Sequence, residues 1–334
     1  MMLGDKQGYT GRGNANDVDL NRNFPARFPA HEEDKGAGLQ PETKAIMTWL
    51  HQYPFVLSAN LHGGSLVANY PWDDSTSGKI EYSPAPDNLV FVKMAYVYAR
   101  AHPTMWKSGP RCGLKPTGDT FQDGITNGAA WYDVAGGMQD WNYVHTNCME
   151  LTIEMGCVKY PNGSDLHNYW EEHKFSLLAF MDEVHRGLRG FIKDEISGRG
   201  IFNASVMVHG IKKVMTSAKD GDYWRILVPG TYNVTVAAEG YKPQNAKITI
   251  RNKRATVQNF TLSKVNGEVP LSPANTPSTT QPPTTTTSTP AVPVKKSHES
   301  LRNDIAAMWT SFYECNQQAR QEMLAVAKLR WNNQ

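Results

Sequence analysis

Phe55-Val56-Leu57-Ser58-Ala59-Asn60-Leu61-His62-Gly63-Gly64 is the stretch on which the fold class turns. Its first seven residues read as a buried strand, short and apolar, with Pro54 before it and a histidine and two glycines after it. Upstream, Pro41 and Glu42 suit the first turn of a helix, and Ala45, Ile46, Trp49 and Leu50 recur at helical spacing until Pro54 closes the run. Downstream, the pattern predicts a helix over 87–101 that stops before Pro103 and a second buried strand over 149–155. A third helix is predicted over 172–186, with Leu177, Leu178, Met181 and Val184 on one face. Helices alternating with buried strands predict an α/β domain, a mixed sheet flanked by helices, over residues 1–186.

From residue 187 the pattern changes. Val206 and Val208, then Tyr232, Val234 and Val236, then Ile248 and Ile250 alternate with polar neighbours, and Gly210, Asp220-Gly221, Pro229-Gly230 and Glu239-Gly240 sit at the turns. This predicts a small all-β sandwich over 187–264. Residues 265–296 are rich in Thr, Pro and Ser and read as an extended linker. Over 297–334 the near-heptad spacing of Leu301, Ile305, Met308, Phe312, Cys315, Ala319, Met323 and Val326 predicts an amphipathic helical tail, suited to docking on the body or on a partner.

The 334 residues carry a net charge of only +2, with no basic block, so nucleic acid is not an implied partner. No apolar run approaches the roughly 20 residues that span a bilayer. Sequons begin at Asn162, Asn203, Asn233 and Asn259; in the strand holding Asn233, that residue shares the polar face with Thr235. Cys112, Cys148, Cys157 and Cys315 show no zinc-finger spacing. Disulfides and buried free thiols are both open readings, and no pairing follows from the spacing.

Several residues have the chemistry of a site. Arg22, in Asp19-Leu20-Asn21-Arg22-Asn23-Phe24, is of the type that clamps a carboxylate bidentately. His62 stands at a strand end where glycines clear space, a favourable position for a metal ligand. Glu154 lies in the run Leu151-Thr152-Ile153-Glu154-Met155, where a buried carboxylate needs a partner or a task. Gly136-Gly137-Met138-Gln139-Asp140 and the preceding Trp131-Tyr132 read as a loop, with a lid as one reading.

Taken in order, Asp19-Leu20-Asn21-Arg22-Asn23-Phe24-Pro25, Asn60-Leu61-His62-Gly63-Gly64, Asp123-Gly124-Ile125-Thr126-Asn127-Gly128, Gly136-Gly137-Met138-Gln139-Asp140 and Glu150-Leu151-Thr152-Ile153-Glu154 resemble the metallocarboxypeptidases of the N/E type. This is the branch with carboxypeptidases D, E, M and N, in peptidase family M14. The likeness extends over 10–185 and continues into 187–264, which is similar to the branch's transthyretin-like domain. The resemblance implies a secreted enzyme that releases C-terminal Lys or Arg from peptides and proteins, in the secretory pathway or outside the cell. It implies His62 as a zinc ligand and Glu154 as the general base for a zinc-bound water. It implies Asn21 and Arg22 as the grip on the substrate's terminal carboxylate and Tyr132 as the tyrosine that closes over it. Asp73, in Tyr70-Pro71-Trp72-Asp73, matches the acidic residue that sets Lys/Arg preference, and Gln139 falls at a pocket position.

The family's other two zinc ligands come from a His-x-x-Glu motif upstream of the Asn-Arg pair. None of the ten histidines opens such a motif. His31-Glu32-Glu33-Asp34 comes nearest, but it ends in Asp and follows Arg22. The resemblance therefore implies an N-terminally truncated chain, inactive as it stands because catalytic zinc takes three protein ligands. The alternative reading is a non-catalytic module that binds basic peptide C-termini. A structural protein built on the sandwich and linker is a third.

Overall fold

The computed structural model describes residues 11–31, 38–108, 112, 120–251 and 254–265. The linker expected over 265–296, beyond its first residue, and the tail helix expected over 297–334 lie outside the described residues.

Helix α1 (Pro41–Gln52) begins on Pro41, as the sequence predicts. Strands β1 (Leu57–His62) and β2 (Ser65–Tyr70) follow, then helix α2 (Asn88–Ala101), the short strand β3 (Ile125–Asn127), helices α3 (Gly128–Trp131) and α4 (Met138–His145), strand β4 (Met149–Gly156) and helix α5 (Leu166–Asp182). The sheet is mixed, in the order β1-β4-β2-β3: β1 runs parallel to β4, β2 antiparallel to β4, and β3 parallel to β2.

Period-two alternation divides the sheet into two unlike faces. Leu66, Ala68 and Tyr70 of β2 and Met149, Leu151 and Ile153 of β4 pack with Phe91, Met94, Ala95 and Tyr98 of α2 in the main core. The alternate residues of β4, namely Glu150, Thr152 and Glu154, turn to the other face and are buried there as well.

Three expectations need correction. The strand at 57–62 was expected to be buried; it is half-buried, with Leu61 38% exposed, because among the described residues β1 is the sheet edge and pairs with β4 alone. The third helix starts at Leu166 rather than 172 and buries His173, Ser176 and Phe180, leaving Leu178 and Met181 exposed. A histidine can hold the inner face because Tyr98 and the Met155 carbonyl satisfy both its nitrogens. The segment 136–140 is not a loop throughout. Helix α4 starts at Met138, and the Asn21 side chain accepts its first amide, so a residue 117 positions away supplies the missing cap.

The remaining strands are β5 (Leu188–Asp194), β6 (Ser205–Val208), β7 (Val214–Thr216), β8 (Asp222–Arg225), β9 (Gly230–Ala237), β10 (Gln244–Ile250), β11 (Thr256–Val257) and β12 (Phe260–Leu262). They form two sheets, β10-β9-β6-β7 and β11-β5-β12 with β8 on β5, closed over a core that includes Leu188, Ile192, Val206, Val234, Val236, Ile248 and Phe260. The predicted alternation in β6, β9 and β10 is present, and Asn233 is exposed.

The sandwich is tied to the α/β part by polar contacts. Arg225 and Asp87, both fully buried, pair at 2.7 Å, and Lys213 donates to the carbonyls of Tyr143 and Thr146 at the end of α4. Asn147 and Thr216 share three further hydrogen bonds. Cys112 and Cys157 form a disulfide, Cys148 is a buried free thiol, and Cys315 lies outside the described residues. No described helix is long and apolar enough to cross a membrane.

Candidate functional site

The polar face of the sheet opens into a cavity of about 140 Å³. Asn21, Arg22, His62, Asp73, Tyr132 and Glu154, all singled out in the sequence, line it together with Arg12, Asp19, Asn69, Val134, Thr152 and Lys159. Gln139 does not line it; it is buried behind and donates Nε2 to Asp73 Oδ1 at 2.9 Å.

Each side chain is placed by its element. His62 and Glu154 are the last register pair between β1 and β4, and His62 Nδ1 lies 2.9 Å from Glu154 Oε1 and 3.0 Å from Oε2. Asp19 accepts the Asn21 amide and shapes the single helical turn Leu20–Arg22. The Asn21 side-chain oxygen is taken by the Met138 amide, which leaves its NH₂ donors for the cavity. Arg22 is half-buried and donates one N–H to the Asn21 carbonyl.

Asp73 stands at the end of a turn after β2. Its Oδ1 accepts from both Asn69 and Gln139. The amide oxygens of those same two residues, Asn69 Oδ1 and Gln139 Oε1, are buried and have no protein partner. The result is an anion flanked by orphaned acceptors, a surrounding that calls for a donor-rich cation. Gly128 makes the approach feasible: a Cβ there would stand 1.8 Å from Asp73 Oδ1. Burial pushes Asp73 up to about 6, against the opposing effects of the Asn69 hydrogen bond and Arg22. Burial, with Glu154 and Asp73 adding to it, likewise raises the Tyr132 phenol.

The donor set around His62 does not fit a catalytic zinc ion. The Glu154 carboxylate accepts from Nδ1–H, so the ring's lone pair is on Nε2, and Arg12 directs its guanidinium there at 3.2 Å. Arg12 is itself held by Asp19 at 2.8 Å. Among the described residues His62 is the sole imidazole lining the cavity. Among the described residues one cluster of three candidate ligands occurs, His102, Glu172 and His173, and it is not in this cavity. The lone pairs of its two histidines are also engaged. His173 donates Nε2–H to the Met155 carbonyl and accepts from Tyr98 at Nδ1, while His102 Nδ1 accepts the amides of Thr104 and Met105.

Sequence reasoning missed Arg12, Asn69, Thr152 and Lys159. Thr152 carried a signal, since it shares a face of β4 with Glu154; Asn69 stands opposite it on β2, a strand the sequence pattern did not mark. Arg12 and Lys159 lie in irregular chain, where no period marks them.

A family model described as zinc carboxypeptidase matches residues 3–176, just over half of the chain, and one described as carboxypeptidase regulatory-like domain matches 187–263. Carboxypeptidase D of Anas platyrhynchos is 51% identical over 284 residues, covering 84% of this chain and 20% of that one. Human carboxypeptidase D is 51% identical over 259 residues, covering 78% and 18%. The human carboxypeptidase N catalytic chain is 42% identical over 282 residues, covering 78% and 60%. The chain thus spans about a fifth of the carboxypeptidase D sequences and 60% of the carboxypeptidase N chain. With zinc-carboxypeptidase sequence over 3–176 and a regulatory-like β-sandwich behind it, the chain belongs to the zinc carboxypeptidase family.

Proposed function

We propose that the cavity recognises the C-terminal Lys or Arg of a peptide or protein, the residue that the enzyme of this family releases. The observation that carries the reading is that opposite charges line one cavity, Arg22 with the Asn21 amide as donors and Asp73 as the acid. Arg22 and the Asn21 amide suit a terminal carboxylate, which needs a fixed cationic fork. Asp73, with the unpartnered oxygens of Asn69 and Gln139 beside it, suits an ammonium or guanidinium group. Tyr132 lines the cavity and is 40% exposed, which suits closure over the carboxylate. Glu154 is the group in the role of general base in a zinc-loaded enzyme, where the metal supplies an activated water.

A second reading is favoured by the engagement of His62 with Arg12 and Glu154: these 334 residues bind basic C-termini without cutting them. We place the protein in the secretory pathway or outside the cell, with glycans on the exposed Asn162, Asn203 and Asn233; the Cys112–Cys157 disulfide supports an oxidising compartment.

The test is binding of N-terminally labelled peptides ending in Arg, citrulline or Arg-amide, read by fluorescence anisotropy. Arg should exceed its neutral isostere citrulline by about tenfold or more. Amidation should cost a comparable factor. Equal binding of all three peptides would remove the reading.

A further inference from the structure

An aspartate in a turn ordinarily folds back on nearby backbone amides, above all the amide two residues on. Asp73 has three such amides at hand, its own and those of Asp74 and Ser75, and all three are taken by other carboxylates. The Asp73 amide donates to Asp140 Oδ1 at 2.9 Å and Oδ2 at 3.1 Å, and the Asp74 amide donates to Asp140 Oδ2 at 3.0 Å. The Ser75 amide, the natural partner for Asp73 itself, donates instead to Asp133 Oδ1 at 2.7 Å.

We propose that Asp133 and Asp140 are positioning residues: by occupying the three amides that Asp73 could otherwise capture, they keep its carboxylate turned to the cavity and available to a cationic side chain. The inference rests on the reading of Asp73 as the cation-recognising group. Asp140 and Gln139 are consecutive in the first turn of α4, so one helix end grips the Asp73 backbone through the first and its side chain through the second. The arrangement carries a cost that a merely structural contact would not need. Asp140 is 3% exposed, and burial, with Asp73 adding to it, raises its carboxyl well above the usual range, while the charge of Asp133 disfavours the ionised form of Asp73. Neutral acceptors would tie the same turn without that repulsion. Arg27 offsets part of it, packed over Trp72 at 3.8 Å with its guanidinium donating to the Asp74 carbonyl.

The experiment measures the Arg-to-citrulline affinity ratio of the full chain and of Asp133→Ala, Asp140→Ala, Asp133→Asn and Asp73→Asn, with a thermal melt of each. In Asp133→Ala and Asp140→Ala the ratio should fall from about tenfold to within about threefold, while citrulline binding holds. Asp133→Asn keeps an acceptor oxygen for the Ser75 amide and should retain the parental ratio. A lower melting temperature with an unchanged ratio in both alanine variants would make the two carboxylates purely structural and overturn the proposal. Asp133 is only half-buried, so its variant decides alone if Asp140→Ala does not fold. A parental chain with no Arg preference would sink the reading of Asp73 itself. A parental preference that Asp73→Asn abolishes and Asp133→Ala leaves intact would sink only the positioning role.

Discussion

The imidazole Nδ1 of His62 stands 2.9 Å from Glu154 Oε1, and the two residues face each other across the parallel ladder of β1 and β4 although 92 positions separate them. That contact, with Arg12 on the other ring nitrogen, uses both nitrogens of the imidazole within the protein. A zinc ion at this place would have to displace a guanidinium and would find, among the described residues, one imidazole where three protein ligands are needed. Equilibrium dialysis of the 334-residue chain should leave well below about one zinc per chain, and release of C-terminal Arg should stay at background. Near-stoichiometric zinc with chelator-sensitive release would show the expectation to be wrong.

The raised proton affinity of Asp73 gives recognition a pH dependence. A cationic side chain favours the ionised carboxylate, so binding competes with protonation. Because burial pushes Asp73 up to about 6, affinity for an Arg-ending peptide should be full above that pH and should fall as pH drops through it. At about pH 5 the loss should approach tenfold, and the citrulline peptide should show far less of it. Calorimetry at two pH values decides the matter: parallel losses for both peptides would place the titrating group elsewhere, on the carboxylate grip or the fold.

Much of this was legible in the sequence, for a definite reason. β4 is read by a period of two, and Glu150, Thr152 and Glu154 fall on one face because Met149, Leu151 and Ile153 must take the other. What the sequence left unread has no period. Helix α4 was hidden because its start is capped by Asn21 from a distant loop, and its buried positions include Gln139, Asp140 and Asn142, which an apolar pattern does not reveal. Arg225 reads as an ordinary charge at the end of a short strand, and its burial follows only from the meeting of two domains. The exposed side of β1 was equally illegible, since edge and central strands have similar composition.

Gly128 sets a steric limit on the cation pocket. An alanine there brings a Cβ within 1.8 Å of Asp73 Oδ1 and within 2.9 Å of its Cα, so rotating the Asp73 side chain does not relieve the clash. Gly128→Ala should abolish the preference for Arg over citrulline and cost about 1–3 kcal/mol of stability. Binding assays paired with urea unfolding would detect both, and a variant that keeps its preference would show that the turn carrying Asp73 can shift as a body.

Arg225 and Asp87 form the buried ion pair between the sandwich and the α/β part, and Asp87 also accepts from Tyr143. Breaking the pair from one side leaves the other charge stranded in the interior. Arg225→Met should therefore cost about 3–5 kcal/mol. In Arg225→Met combined with Asp87→Asn the loss should be well below the sum of the two single losses, because no bare charge remains. Denaturant unfolding of the three variants measures the coupling; strict additivity would mean that the pair does not act as a unit.

Glu150 lies on the polar face of β4, fully buried, where Ser58 and Asn142 donate to one of its oxygens and the other has no protein partner. Burial outweighs both hydrogen bonds and pushes this carboxyl up to about 7. The sign follows from linkage. The folded state holds the proton more tightly than the unfolded chain, so the contribution of Glu150 to stability is greatest below the ordinary carboxyl range and is lost as pH rises towards 7. Glu150→Gln keeps the shape and an oxygen for Ser58 and Asn142 but cannot ionise. It should match the parent near pH 5 and exceed it by about 1–3 kcal/mol at pH 8, with the gain appearing between those values. Urea midpoints across that range test the claim. A gain that is the same at every pH would attribute the effect to packing, and a loss at pH 8 would show that the ionised carboxylate has a partner in the folded protein.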